Sequence, residues 1–329
     1  MVNRLRSESG FSLVELLFAT GLLLVVSSIV TTALMQMTQQ QQTIWNRTEM
    51  HSGIRGATEL LQQEVGQAGR ATLPGSGVVT ITANGFTGLP ASAVACTSKT
   101  VTVSSTAGMW GSASTGIALT FLNGDNQETV RVTAVAGNDI TGCFWKDHPN
   151  GTPIMALGGF GTGILPPTGF ANGSSADVLK MYGDINGDGN MVYVEYKCDV
   201  ANGKLYRNVM PWDTAPADKP ALNDSKILLS NIIANPGGTP CFTYQTSTIP
   251  IDSTIPATSF TFVLDVAITL TVETQQIDPI TKLKQTETKA LLNVSPRNVF
   301  HAWSFAGLSY TDRIQSTPAT IEALIAIAP

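Results

Sequence analysis

Residues 10–35 read GFSLVELLFATGLLLVVSSIVTTALM, and this run decides the fold. From Phe11 to Met35 it is apolar apart from a single charge, Glu15. Its length is what an α-helix needs to cross the hydrocarbon core of a bilayer, near 20 residues or more. A carboxylate in hydrocarbon costs roughly 2.5 to 3.5 kcal/mol on insertion scales, so an ionisable group kept there marks a function and needs a partner. The partner expected is an amine. Ahead of the run, Met1 to Gly10 (MVNRLRSESG) is short, polar and basic through Arg4 and Arg6. A secretory signal is cut after its apolar segment and loses it; here the polar leader abuts the apolar run directly. Its positive charges favour a cytoplasmic amino terminus and send the carboxyl-terminal bulk across the membrane.

A basic leader ending in Gly10, then Phe11, then Glu15 at the fifth position and an apolar helix together resemble the type IV prepilin family. The resemblance implies removal of residues 1–10 by prepilin peptidase after Gly10, N-methylation of Phe11, and retention of 11–37 as a transmembrane and filament-core helix. It implies that the Glu15 carboxylate neutralises the new amino terminus of a neighbouring subunit, an attraction that strengthens in low dielectric. Phe11, Leu13, Leu16, Leu17, Leu22 to Leu24 and Ile29 then pack with neighbouring helices. The alternative is an uncleaved signal anchor with a fortuitous Glu, which leaves Gly10 before Phe11 unexplained.

Beyond the membrane part, Trp45, Met50, Ile54, Leu60, Leu61, Val65 and Ala68 recur at roughly helical spacing, so the helix is expected to continue over 38–72 and end near Ala68 or Gly69. Gly53, Gly56, Gly66 and Gly69 each lower helix propensity by roughly 1 kcal/mol relative to Ala, which close packing against strands must offset. GIRGATELLQQEVGQAGRA resembles the membrane-distal helix of PilW-like minor pilins. No proline interrupts the membrane part, which leans towards a minor pilin or a pseudopilin.

The chain of 329 residues is long enough for an anchor plus one large domain or two smaller ones. Only 13% of residues are charged and the net charge is -5; losing Arg4, Arg6 and Glu8 with the leader makes it about -6 by formal count. No basic footprint for nucleic acid is present. Thr, Ser, Gly, Val and Ala dominate after the helix, in short strand-like runs separated by Gly, Asn, Asp and Pro. Over 76–160 these runs are VVTITA, KTVTVSS, IALTFLN, QETVRVTAV, DITGCFW and PIMAL. This block reads as an inserted β module, resembling small modules of surface and phage structural proteins, or as part of a larger β-fold. A Gly- and Pro-rich linker (161–175) leads to a second β region, 176–305, whose YVEYKC and KLYRNV strands and closing ALLNVSPRNV resemble the pilin-type sheet. Its last two strands form a long hairpin around Asp278 and Pro279. Residues 306–329 read as a tail or a docking segment. The fold class expected is α+β: a long amino-terminal helix packed on an antiparallel pilin-type sheet, with an additional all-β module.

All four cysteines lie in the exported part. Three pairings are open; the preferred one is Cys96 with Cys143 and Cys198 with Cys241, each stapling a local unit in an oxidising compartment. Buried free thiols are the alternative.

One stretch carries ligand chemistry. Asp184-Ile185-Asn186-Gly187-Asp188-Gly189-Asn190 and Glu195 satisfy the calcium-loop pattern of oxygens at positions 1, 3 and 5, Gly at 6 and Glu at 12. Asp184, Asn186 and Asp188 supply side-chain oxygens, Asn190 a carbonyl and Glu195 up to two more. The flanks read as strands rather than EF-hand helices, so Glu195 is the weakest ligand, with Lys197 a competitor for it. A metal-free β-turn is the alternative. His51, His148 and His301 are far apart in sequence and no catalytic spacing joins them to carboxylates, so no enzyme is expected. The resemblance implies a structural minor pilin that primes or caps assembly. Its implied partners are the major and other minor pilins, the peptidase, the inner-membrane assembly platform and, before assembly, membrane lipid. Its implied location is the bacterial inner membrane with a periplasmic bulk, then the extracellular pilus. The alternatives are a secretion pseudopilin, or a tip adhesin binding a surface or glycan through 78–155.

Overall fold

Helix α1 (Leu13–Gln67) is uninterrupted over 55 residues, in a computed structural model that describes residues 10, 12–74, 78–89, 95–113, 116–156, 160–249, 260–308, 310, 314–315 and 317–329. The chain divides into two units, Met1–Ser52 with Glu273–Thr286, and Gly53–Val272 with Glu287–Pro329.

In the first unit α1 is long and apolar enough to cross a membrane. Most of its hydroxyls are consumed within the helix: Thr20, Ser28, Thr31, Thr32 and Thr38 each donate to a carbonyl three or four residues back. That is how Ser and Thr are accommodated on a surface without water. The hairpin segment 273–286 is tied to this part of α1 by Gln42 to Gln276 at 2.7 Å, Thr43 to Asp278 at 3.1 Å and Arg47 to Gln285.

The second unit begins with the amphipathic end of α1. Ile54, Ala57, Leu61, Val65 and Ala68 are all buried, the i, i+3, i+4 stripe of a helix facing a core. A Cβ on Gly53 would sit 3.1 Å from the Leu229 side chain. At Gly69 (φ +86) the helix gives way to strand-like pairing, its N–H donating to Tyr182 O and its carbonyl accepting from Gly161. Close approach thus accounts for Gly53 and Gly69; nothing lies within 4 Å of a Cβ at Gly56 or Gly66.

Six strands then close into a barrel, in the order β1-β2-β5-β4-β3-β6: β1 (Val79–Ala83), β2 (Thr97–Val103), β3 (Ala118–Phe121), β4 (Glu128–Ala136), β5 (Asp139–Phe144) and β6 (Pro153–Met155). In β5 burial alternates residue by residue, and Val101, Val103, Leu119, Phe121, Val132, Ile140, Phe144 and Ile154 fill the interior. Closure leaves no open edge to pair with another chain. The Cys96–Cys143 disulfide joins the start of β2 to β5.

After β7 (Phe160–Gly161) come β8 (Val178–Gly183), β9 (Val192–Asp199), β10 (Lys204–Pro211) and β11 (Ile227–Ser230), a four-stranded antiparallel sheet in the order β11-β10-β9-β8. A second four-stranded sheet runs β12 (Ile232–Ile233), β14 (Phe260–Glu273), β13 (Phe242–Ile249), with β15 (Thr286–Val294) pairing β14. The Cys198–Cys241 disulfide joins β9 to the residue before β13, and so links the two sheets. Helix α2 (Arg297–Gly307) packs Val299, Ala302 and Ala306 with Phe260 and Phe262, β16 (Ile314–Gln315) pairs in parallel with β7, and α3 (Ala319–Ile325) packs Ile321, Leu324 and Ile325 with Tyr193 and Met210.

The architecture is α+β. It corrects the expectation of a single pilin-type sheet: the second β region is two sheets, because Asn231, with φ +60, turns the chain between β11 and β12. The stretch read as a linker over 161–175 buries Ile164 and Leu165 fully, with Leu165 N–H donating to Lys180 O beside β8. The tail over 306–329 is likewise part of the core through α3.

Candidate functional site

The amino-terminal end of α1 is set by Ser12, whose carbonyl accepts the Leu16 N–H at 3.1 Å. Glu15 therefore falls in the first turn, where a carboxylate meets the positive end of the helix dipole. Gly10 is exposed; residues 1–9 and Phe11, on which leader cleavage and N-methylation turn, lie outside the described residues. Among the described residues none pairs with Glu15. Leu13, Leu16, Leu17, Leu22, Leu23, Leu24 and Ile29 are all exposed, and so are Val14, Phe18, Val25 and Val26 between them. The helix is apolar all round rather than striped, and a contiguous surface of this size exceeds what a protein leaves to water. By length and composition it suffices to cross a membrane.

The calcium-pattern loop is the connection between β8 and β9. Gly187 and Gly189 have φ of +71 and +85, the left-handed conformation that lets so short a loop reverse. Asp188 Oδ1 accepts the Asn190 N–H at 2.9 Å, and Thr72 donates to Gly189 O at 3.0 Å. Asp184 is 1% exposed, and neither carboxylate oxygen has a hydrogen-bond partner. Arg70 Nε stands 3.8 Å away, near enough for attraction but beyond hydrogen-bonding distance. Asp184, Asn186, Asp188 and the Asn190 carbonyl share this one loop and fit an oxygen-ligated cation in kind.

Glu195 does not join them. It sits three residues into β9, about 10 Å along the strand from the loop, directly between Lys180 on β8 and Asn208 on β10. Its Oε1 accepts from Tyr193 at 2.7 Å and from Lys219 at 2.8 Å, with Lys180 at 3.7 Å. The expected fifth ligand is thus held by two lysines, neither of them Lys197, because strand pairing aims it into the core. Burial holds the Lys180 ammonium below its ordinary pKa, with Glu195 acting against it. Among the described residues no three His, Cys, Asp or Glu side chains converge as a metal cluster.

Sequence reasoning missed a second buried carboxylate, Glu64 of α1, which is 3% exposed. It accepts from Tyr196 Oη at 2.5 Å and from Arg207 Nε at 3.0 Å. Burial, then Glu64 itself, raises the Tyr196 phenol pKa; burial lowers that of Arg207, but Glu64 outweighs it and leaves the guanidinium more firmly charged. The signal was present in the sequence: Glu64 is three residues from Leu61 on the apolar stripe. His148, read as a turn residue, is fully buried against Phe121 and Phe144, with Nε2 at 2.7 Å from Glu128.

Comparison with protein-family models, with curated proteins and with solved structures finds no match.

Proposed function

We propose that the chain is a minor pilin of a type IV pilus, a structural subunit that waits in the inner membrane through α1 and then joins an exported filament. The observation that carries this is Glu15: one carboxylate, in the first turn of a helix apolar all round, unpaired among the described residues. An amine from a neighbouring chain at about 4 Å is worth roughly 4 kcal/mol at an effective dielectric of 20. That is comparable to the roughly 2.5 to 3.5 kcal/mol it costs to hold the carboxylate in hydrocarbon. A partner from outside therefore offsets the cost, and only when it is in register. The barrel, with its own core and disulfide, is the displayed head. A secretion pseudopilin would share α1, and its co-purifying partners would distinguish it. The loop from Asp184 to Asn190 is proposed to hold Ca²⁺ without Glu195, through Asp184, Asn186, Asp188 and the Asn190 carbonyl, with water completing the six to eight oxygens the ion takes.

Intact-mass measurement of the chain recovered from its native membrane tests the reading. Loss of residues 1–10 with one methyl group on Phe11 is expected; a chain retaining its first ten residues contradicts it.

A further inference from the structure

The hairpin tip of the first unit has a surface that the filament reading leaves unused. Its turn is folded around Asp278, whose side chain accepts from Ile280 N–H at 2.7 Å, Thr281 N–H at 3.2 Å and Thr43 at 3.1 Å. With that carboxylate turned inward at 2% exposure, Ile277, Ile280 and Leu283 are turned outward at 57%, 56% and 69%. The tip points towards the amino-terminal end of α1, since Gln276 and Asp278 meet Gln42 and Thr43 while Gln285, nearer the hairpin base, meets Arg47.

The apolar run ends near Met37, six residues before Thr43, or about 9 Å at 1.5 Å per residue. Headgroups occupy roughly 5 to 8 Å on each side of the hydrocarbon core, so Thr43 stands just outside that layer and the tip, directed back along α1, faces into it. Trp45, 71% exposed on the same turns of α1, is the residue type that collects at this boundary. Charge agrees. Lys284 is paired with Glu273, Arg47 donates to Gln285 and attracts the inward-turned Asp278 carboxylate, and Lys282 is exposed, so the outward surface carries the Lys282 cation beside its apolar side chains.

We propose that the tip, residues 277–283, is an interfacial foot that rests on anionic lipid headgroups where α1 leaves the bilayer. The proposal rests on reading α1 as the membrane span. Ile280 and Leu283 enter the headgroup boundary while Lys282 meets phosphates.

The four native cysteines are all in disulfides, so a single added thiol can be labelled. Full-length Leu283→Cys and Leu24→Cys chains, each carrying an environment-sensitive fluorophore, go into vesicles of phosphatidylglycerol with phosphatidylethanolamine or of phosphatidylcholine alone. Quenching by headgroup nitroxide at position 283 is expected to be at least about twofold stronger in the anionic vesicles, and to fall to the phosphatidylcholine level with Lys282→Glu. Position 24 is expected to be quenched only by nitroxide deep in the acyl chains. An unquenched label at 283 with a quenched one at 24 overturns the foot and leaves the span intact; an unquenched label at 24 overturns the span and the foot with it. Equal quenching in both lipids overturns the anionic assignment, and a signal at 283 that follows protein density rather than lipid assigns the tip to a second copy.

Discussion

Two carboxylates on one helix have opposite surroundings. Glu64 lies in a stripe that the chain itself covers, and it finds Arg207 and Tyr196 there. Glu15 lies in a stretch that no part of the described chain covers, and it pairs with none of the described residues. Both are helical residues among apolar neighbours, so helix propensity does not separate them. What differs is where the counter-charge comes from: Glu64 finds it within the chain, whereas the one proposed for Glu15 belongs to another chain. Asp184 is the intermediate case, buried like Glu64 yet lacking a hydrogen bond to either oxygen.

A large loss of stability should follow from Glu64→Ala. Removing one partner of a buried ion pair leaves the other uncompensated, typically at 3 to 5 kcal/mol; with the Arg207 side chain 27% exposed, about 3 kcal/mol is expected in urea unfolding of the detergent-solubilised chain. Glu15→Ala in the same assay should change stability by less than about 0.5 kcal/mol, as surface substitutions do. Equal losses would erase the distinction between the two carboxylates. Leu61→Ala against Leu24→Ala makes the same comparison without charge. A fully buried Leu costs about 2 to 5 kcal/mol on truncation, so Leu61→Ala should lower the unfolding midpoint and Leu24→Ala should leave it unchanged. The smallest effect concerns Asp184. A site of the millimolar class, at ten times its dissociation constant of Ca²⁺, stabilises by about 1.4 kcal/mol; that increment should vanish in Asp184→Asn and persist in Glu195→Gln, measured as the calcium-dependent shift in Tm. Persistence in Asp184→Asn would remove the loop as the site.

Local pattern was legible and long-range closure was not. The six runs read between residues 78 and 155 are the six barrel strands, because alternation and turn residues are written within a few positions of each strand. That β1 closes on β6 depends on Val79 meeting Ile154, a pairing no local signal encodes. The helix end was placed within two residues by Gly69. Helix α2 is not legible because Arg297, Asn298, Val299 and Phe300 follow Pro296 directly and read as the end of a strand, whereas Pro296 stands at its N-cap. The loop composition suggests a metal and names Asp184 as its first ligand, but the ligand pattern counts positions along the chain. In a β-hairpin the twelfth position has already run into the sheet, and Glu195 is there with Lys180 and Lys219.

The central claim is that Glu15 is held for a neighbour. A Glu15→Leu chain expressed beside the native filament subunits should reach the membrane fraction in the native amount, since the substitution only removes a charge from an apolar run. Its recovery in sheared filaments should fall by about tenfold or more, the equivalent of losing at least about 1.4 kcal/mol of subunit attraction. Equal recovery of the Glu15→Leu and unsubstituted chains in the filaments would contradict the account.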